Sequence, residues 1–177
     1  MPASAVNPPT KSFLFLAVLR HSEQMPIQRS EDLIIETWGK FSTVLKLDYF
    51  PMKEYYAKEM GQPLAREIYV YEDLYDREIL IQAKLKSMQI EQDFSFEGRR
   101  TINIDPGLIS LEQLTLISTK PFSHRIFLGN NLYGDLTYIY KQNNYQCLPW
   151  TYPDYKEQSV IEFFESIRKK LKKSLFG

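Results

Sequence analysis

With 177 residues, and 22 Lys and Arg balanced by 22 Asp and Glu, the chain is sized for one compact domain. It lacks the basic surplus that gives nucleic-acid binders their affinity for phosphate backbones. The single cysteine, Cys147, cannot close an internal disulfide, the N-terminus carries no signal-peptide pattern, and the longest apolar run, Phe13 to Leu19, is too short to cross a bilayer. A cytoplasmic protein with no membrane partner is the expectation.

Residues Met1 to Thr10 hold three prolines and little to bury, so they are expected as a flexible leader before a single domain over 11–177. Ser12 to Arg20 is apolar at odd and even positions alike, which marks a central strand covered on both faces. Ile27, Ile34, Ile35 and Trp38 recur at helical spacing and Gly39 stands where a helix stops. Thr43 to Phe50 alternates as a strand, Lys53 to Gly61 fits a short helix, and Arg66 to Glu72 is the third strand. A longer helix is expected over Arg77 to Asp93, capped by Asp76, with Ile81, Leu85 and Met88 as its apolar stripe. Arg100 to Asp105 follows as the fourth strand, ended by an Asp105-Pro106-Gly107 turn.

This order, βαββαβ, predicts an α+β fold with a ferredoxin-like core over 11–107. The helices of that arrangement cover one sheet face only, so the doubly apolar first strand needs a second cover, and 108–177 is its expected source. There the spacing predicts a short helix over Ser110 to Ser118 and then an antiparallel β-meander. Its strands are Ser123 to Gly129, Leu132 to Lys141 and Tyr145 to Leu148, with asparagine turns at Asn130-Asn131 and Asn143-Asn144. Val160, Phe163, Phe164, Ile167, Leu171 and Leu175 complete a terminal amphipathic helix. The Lys and Arg residues from Arg168 to Lys173 sit at its C-terminal end and complement the helix dipole, which speaks for a solvated helix end over an RNA contact.

The strings NIDPG, LISTKPFSHRIFLGNNLYGDLTYIY and LPWTYPDY, with YYAKEMG before them, resemble the bacterial domain-of-unknown-function family 4416 over nearly the whole chain. The resemblance implies little about activity, although some members carry the label "GTP-binding protein". The residues argue against that label in its standard form. The only Gly-Lys pair, Gly39-Lys40, is preceded by Ile34 where a P-loop needs its first glycine, and is followed by Phe41. Thr119-Lys120 begins a guanine-reading motif, but Phe122 stands where Asp is needed.

The polar residues best placed for chemistry crowd into the final third. A two-residue Asn130-Asn131 turn sets His124 opposite Thr137 and one diagonal step from Asp135, with Arg125 on the other sheet face. A carboxylate beside an imidazole fixes its tautomer and raises its basicity, so His124, Asp105 and Asp135 are the catalytic candidates, against a plain structural histidine and a plain turn aspartate. Lys120, Arg125, Trp150, Tyr152 and Asp154 are the ligand-binding candidates. The prolines of PWTYPDY stiffen a loop that forms either a ligand wall or a structural clasp with Asp154 as a helix cap. In the first half, Tyr55, Tyr56 and Glu59 share a helix that Arg66 and Lys84 can join.

One cysteine and two histidines exclude a thiolate zinc site. No resident metal is assigned, while a divalent magnesium or manganese site using Asp105, Asp135 or Asp154 is the metal alternative these carboxylates leave open. The functional expectation is a small phosphorylated or nucleotide-like ligand held by the DPG, STKPFSHR and PWTYPDY stretches. The alternative is a non-catalytic module that binds a protein partner, or RNA, through exposed tyrosines and the last helix. Whether the protein is an enzyme is left open by these residues.

Overall fold

The computed structural model describes residues 7–48 and 50–177. Residues 1–6 of the expected leader, and Tyr49 of the expected second strand, lie outside the described residues; Asn7 to Thr10 are exposed and irregular. The elements are β1 (Ser12–His21), α1 (Ile27–Trp38), β2 (Thr43–Leu47), α2 (Lys53–Met60), β3 (Leu64–Tyr75) and α3 (Ile79–Asp93). After them come β4 (Ser95–Phe96), β5 (Arg99–Arg100), β6 (Ile102–Ile109), β7 (Gln113–Ser118), β8 (Arg125–Gly129), β9 (Leu132–Lys141) and β10 (Asn144–Cys147), then a 3-10 turn at Pro153–Lys156 and α4 (Gln158–Phe176). The fold is mixed α+β. One antiparallel sheet runs in the order β10-β9-β7-β6-β1-β3-β2, with β8 also paired to β9, and β4 and β5 form a separate hairpin. Among the described residues no helix is long and apolar enough to cross a membrane.

Every residue of β1 is buried, because the sheet has helices on both sides. Leu14, Leu16 and Val18 meet Met25, Ile34, Leu80, Ala83 and Ile90 from the α1 and α3 layer. Phe13, Phe15 and Ala17 meet Val160, Phe164, Ile167 and Leu171 of α4, together with Tyr138, Tyr145 and Tyr155. The second cover that the first strand demands therefore comes from the C-terminal third. Gly39 and Gly61 end α1 and α2 with positive φ, where a side chain would be strained.

Several local expectations are overturned. The Ser110–Ser118 stretch is no helix: Ser110 N–H donates to Gln113 C=O at 3.0 Å and the chain turns straight into β7. Leu114, on the helical spacing from Leu111, also falls on the strand alternation with Leu116, so periodicity over nine residues does not separate the two. Asp76 does not cap α3, which begins at Ile79 with no side-chain cap. The buried face of α3 is Leu80, Ala83, Lys84, Ser87, Ile90 and Glu91, whereas Leu85 and Met88 are exposed. The three last strands are not a simple meander either, because β7 occupies one edge of β9 and β8 and β10 lie end to end along the other.

Asp105-Pro106-Gly107 is not a turn but the middle of β6, and its sequence decides where the sheet opens. His21 N–H donates to Thr101 C=O at 2.8 Å, so by the antiparallel alternation Asn103, Asp105 and Gly107 exchange bonds with β1, while Ile104, Pro106 and Leu108 turn their backbone groups toward β7. The β6–β7 ladder holds at Leu108 and Gly107. It stops at Pro106, which has no N–H to give. Ile117 and Ser118 then pair with β9 alone, and β6 and β7 part. Gly107 is needed beside this break, since a Cβ there would lie 2.2 Å from the Phe15 ring and 2.8 Å from Thr115 O.

Candidate functional site

The parting of β6 from β7 leaves the backbone of Ile104 facing an absent strand, and two side chains of α3 take that strand's place. Glu91 Oε1 accepts the Ile104 N–H at 2.8 Å, and Lys84 Nζ donates to the Ile104 carbonyl at 3.3 Å and to Asp105 Oδ1 at 3.0 Å. A buried peptide group must be paired, which is why α3 carries a lysine and a glutamate on its inner face. The remaining oxygens are also engaged. Arg100 grips both oxygens of Glu59 and donates to Glu91 Oε2 and Asn103 Oδ1, while Asn103 Nδ2 donates to Asp105 Oδ2.

Over this wall lies a cavity of about 430 Å³, a size typical of small-molecule sites. Its lining comes from α2 (Tyr55, Tyr56, Glu59), β3 (Arg66), α3, β6 (Asn103, Asp105), the β7 end through Lys120, and Arg125, Asp135, Tyr152, Asp154 and Tyr155. The sheet opening thus brings the polar cluster of the first half together with candidates from the last third.

The deepest polar group differs from the α3 wall. Arg66, Asp154 and Tyr155 are all more than nine-tenths buried. Arg66 Nη2 lies 2.7 Å from Asp154 Oδ2, with its guanidinium 4.9 Å from the centre of the Phe50 ring. This is a meeting of charges without hydrogen-bond alignment. Arg66 Nε, Asp154 Oδ2 and Tyr155 Oη have no hydrogen-bond partner among the described residues. Burial works against the Arg66 charge, but Asp154 and Tyr155 more than offset it and hold its pKa above the ordinary value.

The electrostatics separate the carboxylates. Burial opposes the Asp105 charge, yet Lys84, with Arg66 and Asn103, keeps its pKa below the ordinary 3.8. Glu91 moves the other way, because burial outweighs the help it receives from Lys84 and Ile104 N–H. Tyr56 is pushed up to about 12 by burial and by Asp105, so it enters the site as a neutral hydroxyl.

Of the sequence candidates, Asp105, Asp135, Lys120, Arg125, Tyr152 and Asp154 line the cavity, and His124 and Trp150 do not. A bulge between Phe127 and Gly129 shifts the β8 register by one residue. It sets Asp135, not Leu136, against Arg125, so the expected His124–Thr137 pairing and the opposite-face placement of Arg125 both fail. Arg125 is spent on protein: Nε donates to Asp135 at 2.7 Å, Nη1 to Ser118 Oγ and Lys120 O, and Nη2 to Tyr152 Oη. His124 stacks on Trp150 at 4.8 Å and sits 3.5 Å from Asp135 Oδ2.

The PWTYPDY loop is a clasp at its start and a cavity wall at its end. Trp150 Nε1 and Thr151 Oγ1 donate to the carbonyls of Leu136 and Thr137 on β9, between the stretches that β8 and β10 cover. Tyr152, Asp154 and Tyr155 then face the cavity. Asp154 is an ion-pair partner, not a helix cap. Among the described residues no group of three His, Cys, Asp or Glu side chains has metal-holding geometry; Asp105, Asp135 and Asp154 each face a different cation. Arg100, Asn103 and Glu91 had no sequence signal as site residues, since their role exists only where the sheet parts.

Searches of curated proteins and of solved structures return no match to this chain. A family model does match, over residues 10–171, and the protein belongs to that family, described as Domain of unknown function (DUF4416).

Proposed function

We propose that this is a cytoplasmic protein which binds a small phosphorylated or nucleotide-like ligand in the cavity between β6 and β7. The observation that carries the proposal is the buried floor of Arg66, Asp154 and Tyr155 in a cavity of ligand size: an ion pair joins Arg66 Nη2 to Asp154 Oδ2, while Arg66 Nε and Tyr155 Oη have no hydrogen-bond partner among the described residues. An unpaired buried polar atom costs about 1–3 kcal/mol. A fold that keeps two of them beside a buried ion pair gains when a bound molecule pairs with them. Tyr56 and Tyr152 supply aromatic surface, and the closed network around Arg100 fixes the wall opposite. The core is proposed to be ferredoxin-like: β1, α1, β2, β3, α3 and β6 occur in that chain order, and the antiparallel sheet order β6-β1-β3-β2 agrees with it.

A thermal-shift screen against nucleotides, sugar phosphates and divalent ions tests the proposal. A ligand at about a hundredfold excess over its dissociation constant adds roughly 2.7 kcal/mol to stability. The expected result is a rise in melting temperature with a phosphorylated compound that Asp105→Ala reduces and His124→Ala leaves intact. A flat screen would count against it.

One observation favours a second use of the surface. Phe122, Ile126, Phe127 and Leu128 are exposed on and before β8, an apolar run of the kind that marks a partner contact. The last helix is not such a surface, because its apolar face is buried against the sheet.

A further inference from the structure

The floor and the rim of the cavity differ in charge balance, and the difference orients the ligand. Four of the five lining cations are matched by carboxylates at ion-pair distance: Arg66 by Asp154, Lys84 by Asp105, Arg100 by Glu59 and Glu91, and Arg125 by Asp135. The fifth, Lys120, has no carboxylate at that distance among the described residues, and it is exposed at the end of β7. Its backbone is pinned on both sides, by its own N–H to Ser118 Oγ at 3.1 Å and by Arg125 Nη1 to its carbonyl at 2.9 Å. Glu59, the carboxylate whose charge it influences, is already held bidentately by Arg100.

We infer that the ligand is a polyhydroxylated phosphomonoester, a sugar or polyol phosphate, bound with its hydroxyls on the Arg66–Asp154–Tyr155 floor and its phosphate at Lys120 on the rim. This rests on the small-molecule reading of the cavity. A phosphate dianion on the floor would lie beside Asp154 and Asp105 with little water to screen it, and like charges so placed repel strongly. The floor instead offers a mixed set: donor Arg66 Nε and the Tyr155 hydroxyl, which gives and accepts, each without a hydrogen-bond partner among the described residues, beside the Asp154 carboxylate, whose Oδ2 meets Arg66 Nη2 at 2.7 Å and keeps a lone pair. A hydroxyl also gives and accepts, so vicinal hydroxyls satisfy the set without placing net charge in it. Asp105, with Lys84 on Oδ1 and Asn103 on Oδ2, keeps lone pairs for another hydroxyl. Outside the floor, the exposed ammonium of Lys120 meets the phosphate where water still solvates both.

Calorimetric titration of the intact chain with a hexose monophosphate, the free hexose, a hexose bisphosphate, adenosine monophosphate and inorganic phosphate tests the orientation. The hexose monophosphate is expected to bind roughly tenfold or more tighter than the free hexose, about what one charge-assisted hydrogen bond provides. Lys120→Ala, an exposed substitution that leaves the fold intact, is expected to erase that ratio while hexose binding stays unchanged. The bisphosphate is expected to bind no better than the monophosphate. Binding of the nucleotide without the hexose phosphate, or a ratio that survives Lys120→Ala, overturns the orientation and leaves the cavity reading standing. Inorganic phosphate binding that depends on Arg66, tested with Arg66→Gln, also overturns it. Silence across the whole panel overturns both.

Discussion

The α3 wall and the floor of the cavity are built from the same residue types, yet they serve opposite ends. On the wall, Lys84 and Glu91 stand in for a missing strand, Arg100 braces Glu91, and nearly every donor and acceptor has a protein partner. On the floor, Arg66, Asp154 and Tyr155 are deeply buried, and beside the Arg66–Asp154 ion pair Arg66 Nε and Tyr155 Oη have no hydrogen-bond partner among the described residues. Charge in a pocket is therefore a poor guide to binding by itself. Saturation of that charge is the better guide: a closed network holds the sheet open, and an unclosed one beside it has bonding capacity for a guest.

The largest expected effect falls on the wall. Lys84→Met leaves the buried Ile104 carbonyl and the half-buried Asp105 carboxylate without their shared donor, which is expected to cost about 1–3 kcal/mol; urea denaturation with unchanged slope measures it. Acid tests the same wall. The folded-state pKa values of Asp105 and Glu59 lie below their ordinary values, so their stabilisation is present above about pH 4–5 and is lost as pH falls through the folded values. Glu91, raised by burial, works in the opposite sense over its own range. A urea midpoint that drops on acidification, with a shallower drop in Lys84→Met, is the expected outcome.

Smaller effects sharpen the contrast. Trp150→Phe removes the hydrogen bond to the Leu136 carbonyl and is expected to cost about 1 kcal/mol, with ligand response unchanged because Trp150 lies outside the cavity. Arg66→Met combined with Asp154→Leu is expected to stay within about 1 kcal/mol of wild type, since a buried ion pair is often exchanged for apolar residues without loss. The same double variant is expected to lose the ligand response. A large stability loss in that variant would make the floor a structural element like the wall and erase the distinction.

How much of this was legible in the sequence depends on the range over which each signal acts. The doubly apolar β1, the glycines that end α1 and α2, the Asn130-Asn131 turn with both residues at positive φ, and the apolar face of α4 are local patterns with local causes. Asp105-Pro106-Gly107 misled because a proline halts a strand pair only on the side its nitrogen faces, and that side is fixed by the register with β1. The α3 stripe misled for a related reason. Lys84 and Glu91 look like solvent residues until a neighbouring strand lacks its partner. Arg66 was visible as a polar residue in a strand, but only the fold sets it against Asp154, eighty-eight residues later in the chain.

The central claim, that the floor is reserved for a ligand, is read most directly at the Arg66 Nε–H group by nitrogen-15 NMR during titration with a hexose monophosphate. The account predicts that this resonance moves on binding while the Arg100 Nε–H, already held by Glu59, stays in place. A bound ligand that shifts Arg100 and leaves Arg66 untouched would contradict it.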